Sequence, residues 1–328
     1  MLSRIARGLY GIGRDVERAQ NVVRVLEVNH KMHLERAPVD RSNVWIAISE
    51  AFETGLAAPD EAALYGELVL SPTHPHSVRR CLRSARDQTR AMRDHVSEEL
   101  WLHLNQAHLE LLPGDFTRIL ALGRSELNRR IEVFADAFYG LADDTLVHGP
   151  AWHFLRIGRF VERAAMICRI LEVKRKALLQ LPEAAGAPID VHQWQALLRS
   201  LSGYEPYRQA YDARIVPARV LEFVLQRDDF PRSLHHALRQ VATSLQALSG
   251  DHPARAELLR AIELLCDELR LLDARELLLA GALEREVQLL SRRCEDLATA
   301  VERGFFTSFR PALAPIRAAP DAGLVPQQ

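Results

Sequence analysis

The sequence predicts an all-α protein, a bundle of long helices built from two pseudo-repeat halves. Leu, Ala, Arg and Glu dominate its 328 residues, and runs typical of strands are scarce. Near the N-terminus, apolar residues recur at alternating steps of three and four, which is the period of a helix packed on one side. The stretch GRDVERA at residues 13–19 returns 145 positions later as GRFVERA at residues 158–164. These three observations together predict the fold.

The repeat extends beyond this short stretch. Aligning residues 7–35 with residues 152–180 without a gap gives 13 identities in 29 positions. Trp45 then finds a counterpart in Trp194, and Pro75-x-Ser77 finds one in Pro231-x-Ser233. The order of elements is kept while the spacing grows, which indicates an old duplication rather than a short-period solenoid. We therefore expect a first half at 1–147, a second half at 148–310 and a flexible tail at 311–328 that is rich in Pro and Ala.

Each repeated segment predicts one helix of about 25–30 residues. In the first, the apolar seam is Leu9, Ile12, Val16, Ala19, Val23 and Leu26. In the second, it is Phe154, Ile157, Val161, Ala164, Cys168 and Leu171. Gly13 and Gly158 interrupt good helix formers, so we expect each to allow the close approach of a neighbouring helix or of a ligand. Trp45 and Trp194 are each expected to open a following apolar helix and to anchor the core.

Charged residues repeat together with the seam. On a helical wheel, Glu17 and Glu162 lie at one edge of the apolar stripe, while Arg14 and Arg18 and their second-copy equivalents are predicted on the opposite side. Three interpretations stay open: interhelical ion pairs that fix the register of the bundle, a site for an anion or carboxylate ligand, and direct proton transfer. The candidate ligand-binding residues are Arg14, Glu17, Arg18, Arg24, Arg86, Arg159, Glu162, Arg163 and Arg169.

Two prolines are expected in the first turns of later helices. Thr73 and Asp229 lie two residues before Pro75 and Pro231, and we predict that they are the N-caps of these helices. Proline is tolerated in the first turn of a helix, because its missing N–H has no partner there. The first of these helices is rich in arginine and includes Arg86. Ordinary capping explains this arrangement, and an anion held at the helix N-terminus is the alternative.

Several classes of function are excluded or disfavoured. The chain lacks the glycine-rich nucleotide loops, the nucleophile elbow of hydrolases and the zinc-protease motif. Glu27-x-x-His30 has the spacing of a di-metal bundle site, but the second copy has Arg175 in place of the histidine, so we predict no metal and no cofactor. The four cysteines are far apart and are predicted to be buried reduced thiols.

Charge and hydropathy bear on the partners. A formal net charge of −1 with 39 arginines balanced along the chain disfavours a nucleic-acid partner. We find no apolar run long enough for a membrane span and no signal peptide, so we expect a cytoplasmic protein without membrane contact.

The repeated residues resemble the bacterial alpha-E domain family, an all-helical family named for its Glu-Arg motif. The resemblance covers about residues 1–305. This sequence differs from the usual pattern of the family at Gly11, where the family usually has an aromatic residue, and at Gln20, where an acid is common. The matching residues are Leu9-Tyr10, Gly13-Arg14, Glu17-Arg18-Ala19, Pro75-x-Ser77, Cys81-Leu82-Arg83-x-Ala85-Arg86, Gly158-Arg159, Glu162-Arg163-Ala164, Trp194, Glu222-Phe223 and Phe230-Pro231-Arg232-Ser233.

The resemblance implies a functional setting rather than a reaction. Members of the family are typically encoded beside, or fused to, a circularly permuted ATP-grasp protein, often with a transglutaminase-like peptidase. We therefore expect a non-catalytic helical partner of an amide or peptide ligase system, which binds either the ligase or its carboxylate substrate. Two alternatives remain: an enzyme of amide or peptide metabolism with a Glu-Arg site, and a structural homo-oligomer module. No residue is assigned a catalytic role.

Overall fold

The prediction of an all-α fold is confirmed. The computed structural model describes residues 3–35, 42–110, 123–179, 188–249 and 252–306, and this part of the chain contains helices and no strand. The predicted tail at 311–328 lies outside the described residues. The α-helices are α1 (Ser3–Glu35), α2 (Ser42–Ala51), α3 (Glu61–Tyr65), α4 (Val78–Ala91), α5 (Glu98–Glu110), α6 (Arg124–Thr145), α7 (Pro150–Leu179), α8 (Pro188–Ser200), α9 (Tyr204–Tyr211), α10 (Pro217–Leu225), α11 (Leu234–Ala247), α12 (Pro253–Leu271), α13 (Ala274–Leu279) and α14 (Leu283–Phe306).

Helices α1 and α7 form the centre of the bundle and make its most extensive contact. They contain the two copies of the repeated stretch. Helix α1 has 33 residues, slightly more than the predicted length of about 25–30, and α7 has 30, the upper end of that range. Helices α4 and α6 pack against α1, whereas α11 and α14 pack against α7. The short helix α2 packs on α7, and α8 packs on α1. Helices from both predicted halves thus share one core, and the boundary at 147 stays a prediction.

Both predicted seams are buried. Every seam residue of α1 is at most 1% exposed, because α1 has neighbours on several sides. The seam of α7 is nearly as well buried, and its most exposed residue is Phe154 at 6%. Trp45 and Trp194 are core residues, as predicted, although Trp194 lies in the middle of α8 and does not open it. All four cysteines are buried free thiols.

The two repeated glycines lie where α1 crosses α7. A Cβ atom on Gly13 would lie 2.1 Å from the carbonyl oxygen of Leu155, and one on Gly158 would lie 2.0 Å from that of Tyr10. Both obstacles are backbone atoms, which cannot rotate away. The expectation that these glycines allow close helix packing is therefore confirmed, and the crossing requires glycine on both helices.

The predicted N-caps are wrong in both copies. Pro75 and Pro231 lie in turns ahead of α4 and α11, and the N-cap positions are occupied by Ser77 and Ser233. The backbone N–H of Ser77 donates to the carbonyl of His74, which closes the first turn. The second turn closes in the same way between Ser233 and Phe230. The proline carbonyls therefore lie outside the helices and remain available to side chains of the central pair.

In the part of the chain that the structure describes, no helix is both long enough and apolar enough to cross a bilayer.

Candidate functional site

Glu162 on α7 is bound by two arginines of α1. Arg18 donates to both of its carboxylate oxygens, at 2.6 Å from Nε to Oε1 and 2.6 Å from Nη2 to Oε2. Arg14 adds a third hydrogen bond from Nε to Oε2 at 2.9 Å. Glu162 is only 1% exposed, so its charge is compensated by protein groups rather than by water.

Glu17 on α1 has the reciprocal arrangement. Arg163 of α7 donates to both carboxylate oxygens, at 2.7 Å and 2.8 Å, in the planar bidentate geometry that guanidinium groups favour. Asn21 donates to Oε1 at 2.9 Å, and Nε of Arg159 lies 3.6 Å from Oε2. Glu17 is 0% exposed. Each acid is thus held by the arginine that follows the other acid in the sequence.

These contacts correct the predicted orientation of the arginines. Arg14, Arg18, Arg159 and Arg163 were expected on the side of each helix opposite to the acids and the seam. They instead reach the facing helix, and Arg163 is only 4% exposed on its side chain. The wheel failed because both helices are enclosed by neighbours, so a position away from the seam still faces protein. A long arginine side chain can also reach across a crossing from the edge of its helix.

The proline turns complete both ion pairs. Arg18 Nη1 donates to the carbonyl of Pro75 at 3.4 Å, and Arg163 Nη1 donates to the carbonyl of Pro231 at 3.1 Å. The arginine of each pair therefore connects three elements: its own helix, the facing helix and the turn before a third one.

The electrostatics keep both acids ionised. Burial by itself would raise the pKa of Glu17, but the charge and hydrogen bonds of Arg163 and the charges of Arg232 and Arg159 outweigh it. The pKa of Glu17 is held well below its ordinary range. For Glu162, burial is likewise outweighed by Arg18 and Arg14. A carboxylate with a pKa this low is a poor proton acceptor at neutral pH, and these two are also closed to solvent.

The two clusters differ at their outer edges. Arg14 bonds a second acid, Glu302 of α14, at 2.8 Å. Its counterpart Arg159 lies with its guanidinium carbon 3.6 Å above the ring of Tyr139, and its Nε has no hydrogen-bond partner among the described residues. Glu302 and Tyr139 were missed by the sequence reasoning because neither belongs to the repeated stretch.

Three further candidates lie farther out. Arg24 pairs with Glu132 of α6, at 3.3 Å from Nε to Oε1. Arg169 lies within 3.1 Å of the His76 ring. Arg86 belongs to neither cluster: it faces Asn105 and the ring of Trp101 on α5. The structure therefore brings together all the predicted site residues except Arg86.

Arg232 is the main residue that the candidate set omits. Its Nη1 donates to Asn21 and its Nη2 to Gln20, both at 3.1 Å, and Nη1 lies 3.5 Å from Glu17. The sequence contained a signal for Arg232. The repeat aligns Arg232 with His76, so the two copies differ in charge at that position.

Two cavities are lined by residues of the ion-pair clusters. One of about 200 Å³ is lined by polar groups that include Arg7, Tyr10 and Arg14. A second of about 480 Å³ lies beside Arg232, between the chain around Ser202 and the turn before α11. Within the residues that the structure describes, no group of three or more His, Cys, Asp or Glu side chains is arranged to hold a metal ion.

The chain is similar to proteins found by comparison. A family model described as a predicted alpha-helical domain with a conserved ER motif matches residues 1–306. An uncharacterised protein of Mycobacterium bovis is 25% identical over 270 residues, which are 75% of this chain and 30% of that protein. An uncharacterised protein of Mycobacterium tuberculosis strain H37Rv is 24% identical over 270 residues, with the same coverage. The chain thus spans about 30% of the length of these relatives. No solved structure matches it.

Proposed function

The chain belongs to the Alpha-E family, whose model it matches over residues 1–306, and from that premise we propose that it is a non-catalytic helical partner of an ATP-grasp amide or peptide ligase system. In this role it binds the ligase or the ligase's carboxylate substrate. The observation that carries the non-catalytic part is the burial of Glu17 and Glu162, each fully ion-paired at the crossing of α1 and α7. The Glu-Arg pairs then serve to fix the geometry of the two central helices.

The lengths of the relatives support a role beside another protein. In the mycobacterial relatives, the region similar to this chain is 30% of a longer polypeptide. A region that is covalently joined to other sequence in its relatives is suited to work in contact with a partner.

Co-purification tests this proposal. The tagged protein is expressed with a circularly permuted ATP-grasp protein of the same organism, and ligase activity is measured with and without this chain. We expect a stable complex, or a change in the ligase's KM for its carboxylate substrate. No complex together with unchanged kinetics would reject the proposal.

The enzyme alternative makes a different prediction for the same materials. It requires Glu17 or Glu162 to reach a substrate, which their burial and low pKa values disfavour. The purified chain alone is incubated with the ligase's substrates and products. Turnover that disappears in a folded E162Q variant would favour the enzyme.

Exposed leucines are the observation that favours the homo-oligomer alternative. Leu264 and Leu271 on α12 are 64% and 85% exposed, and Leu279 on α13 is 90% exposed. Exposed apolar side chains of this size mark contact surfaces when they cluster. Light scattering over a range of concentrations decides the matter: a monomer throughout rejects this alternative.

A further inference from the structure

The two ion-pair clusters are not electrically equivalent. The Glu162 cluster balances Arg14, Arg18 and Arg169 with three acids, namely Glu162, Glu302 and Asp15. Around Glu17, the described residues place four guanidinium groups and four acids. They are Arg24, Arg159, Arg163 and Arg232, with Glu17, Glu132, Asp136 and Asp143. The Glu17 cluster therefore contains one guanidinium group more than the Glu162 cluster, and two of its acids, Asp136 and Asp143, are exposed.

The additional guanidinium group lies at one repeated position. In the Glu162 cluster, Arg169 faces His76, whose pKa is lowered to about 3 by burial and by the charges of Arg169 and Arg18. His76 is therefore neutral at pH 7. In the Glu17 cluster, Arg24 faces Arg232 instead. Burial and this like charge both lower the pKa of Arg232, so the fold holds this guanidinium in an unfavourable environment.

Arg24 is incompletely bonded at the same place. Its Nη1 atom is buried and has no hydrogen-bond partner among the described residues, and burial lowers its pKa. A buried donor without an acceptor costs about 1–3 kcal/mol. Positive charge and an unused donor thus coincide on this side of the crossing.

A cavity of about 480 Å³ lies against Arg232. Its apolar wall includes Phe223 and Phe230, whose rings stack with centroids 4.4 Å apart. Two other charged residues line it, but Arg227 donates to Asp229 at 2.7 Å, and the two neutralise each other. The remaining charged residue of the lining is Arg232, whose Nη1 lies 3.5 Å from Glu17 and whose charge is opposed by the like charges of Arg24, Arg163 and Arg159. It is also the residue that connects this cavity to Asn21 and Gln20 of α1.

We propose that this cavity binds a carboxylate carried on an apolar group, with the carboxylate on Arg232 and the apolar group against Phe223 and Phe230. A carboxylate brings a negative charge to the like charges around Arg232, and a guanidinium is suited to hold it in a planar geometry. The volume lies within the range of small-molecule sites, about 300–1,000 Å³. The inference rests on the proposed function in one respect: it identifies the bound carboxylate with the class of substrate that the ligase uses.

The source of the carboxylate is either a small acyl or aryl acid or the C-terminus of a peptide. Isothermal titration of the isolated full chain uses N-acetyl-phenylalanine for the first and an apolar tripeptide ending in phenylalanine for the second. The matching C-terminal amides have the same shape without the charge, and inorganic phosphate provides a charge without the apolar group. We expect at least one acid to bind, and both amides and phosphate to bind at least tenfold more weakly. The tighter of the two acids identifies the source.

Three variants locate the site. R232K keeps the positive charge but loses the planar guanidinium that can donate two parallel hydrogen bonds to a carboxylate. It should raise the Kd about tenfold. R24Q removes a charge that acts at longer range, and it should raise the Kd several-fold. R169Q removes the equivalent arginine of the other copy and should leave the Kd unchanged. Circular dichroism and thermal melting of each variant confirm that it is folded.

Other results would overturn the inference. Equal binding of acid and amide would leave an apolar cavity without a carboxylate site, and equal binding of phosphate would leave a general anion site. No binding of either acid at millimolar concentration, or equal weakening in R169Q, would also reject it. These results concern the isolated chain, so they are independent of co-purification with the ligase, and either proposal can fail without the other.

Discussion

Arg18 donates its hydrogen bonds to Glu162 on the facing helix and not to Glu17, its neighbour in the chain. Adjacent residues of a helix point in directions about 100° apart, so the acid and the base of a Glu-Arg dipeptide do not face each other. Its acid and its base can both be satisfied by a second Glu-Arg dipeptide on a helix that crosses at the right place. Glu17 and Arg163 supply the other half of that exchange. The repeated dipeptide is therefore explained by the crossing.

Double-mutant cycles test this exchange. R18Q and E162Q remove the two partners of one ion pair, and each should destabilise the fold by about 3–5 kcal/mol because the remaining charge is buried. Since both changes remove the same contact, the double variant should be more stable than the sum predicts, by about 1–3 kcal/mol. Urea unfolding measures all four proteins.

The control is the pair R18Q and E17Q, which are adjacent in sequence but belong to different clusters. Their effects should add within about 0.5 kcal/mol. Strong coupling in this control, and none between R18Q and E162Q, would show that the ion pairs are not exchanged between helices.

Glycine substitutions test the closeness of the crossing. G13A and G158A each place a Cβ within 2.1 Å of a backbone carbonyl oxygen on the facing helix. The helices must separate, so we expect a loss of several kcal/mol through disrupted packing and disturbed ion pairs. G140A is the matched control, because Gly140 is an exposed position of α6 with no atom within 4 Å of an added Cβ.

The control should change stability in the opposite direction. Alanine is favoured over glycine within a helix by about 0.5–1 kcal/mol, so G140A should raise the thermal midpoint. If G13A melts no lower than the parent protein, the two central helices do not cross as closely as Gly13 and Gly158 indicate.

The sequence predicted the fold well because its main determinants are local and periodic. The seams, the tryptophan anchors and the glycine contacts follow from spacing within one segment. The partners of the arginines do not, because a wheel drawn for one helix cannot show which face meets another helix. Arg14 illustrates this limit: one of its two acids, Glu302, is 288 residues away. The prediction of the N-caps failed because a proline such as Pro75 fits a β-turn as well as it fits the first turn of a helix.

The low pKa of Glu17 predicts how stability depends on pH. Its pKa in the folded state lies below the unfolded value of about 4.3, so the stabilisation it provides is complete above that value. This stabilisation declines as the pH falls towards the pKa of Glu17 in the folded state, because Glu17 binds a proton in the unfolded chain and not yet in the folded chain. E17Q removes this titration.

Between about pH 4 and pH 2.5, the free energy of unfolding of the parent should fall more steeply than that of E17Q, by up to about 1.4 kcal/mol per pH unit. Urea unfolding at several pH values measures both slopes. E99Q, which changes an exposed acid of α5, is the control and should follow the parent. Parallel slopes for the parent and E17Q would contradict an ionised, paired Glu17.

Replacing Arg24 by methionine should stabilise the free protein. Burial and the facing Arg232 make the charge of Arg24 unfavourable in the fold, and its Nη1 lacks a partner among the described residues. Methionine keeps an unbranched side chain and removes both penalties. Glu132 loses its partner but is 31% exposed on its side chain and can be hydrated. We expect R24M to raise the free energy of unfolding by about 1 kcal/mol, the lower end of the cost of a buried donor without an acceptor.

E132Q acts on the same contact from the other side and should have the opposite effect. It leaves Arg24 without the carboxylate that it pairs with, so the charge of Arg24 is less well compensated and the thermal midpoint should fall. Melting curves of R24M, E132Q and the parent at low ionic strength compare the two, since salt screens the repulsion between Arg24 and Arg232. A loss of stability in R24M as large as that in E132Q would mean that the charge of Arg24 is fully compensated, and the pairing of like charges at Arg24 and Arg232 would then not attract an anion.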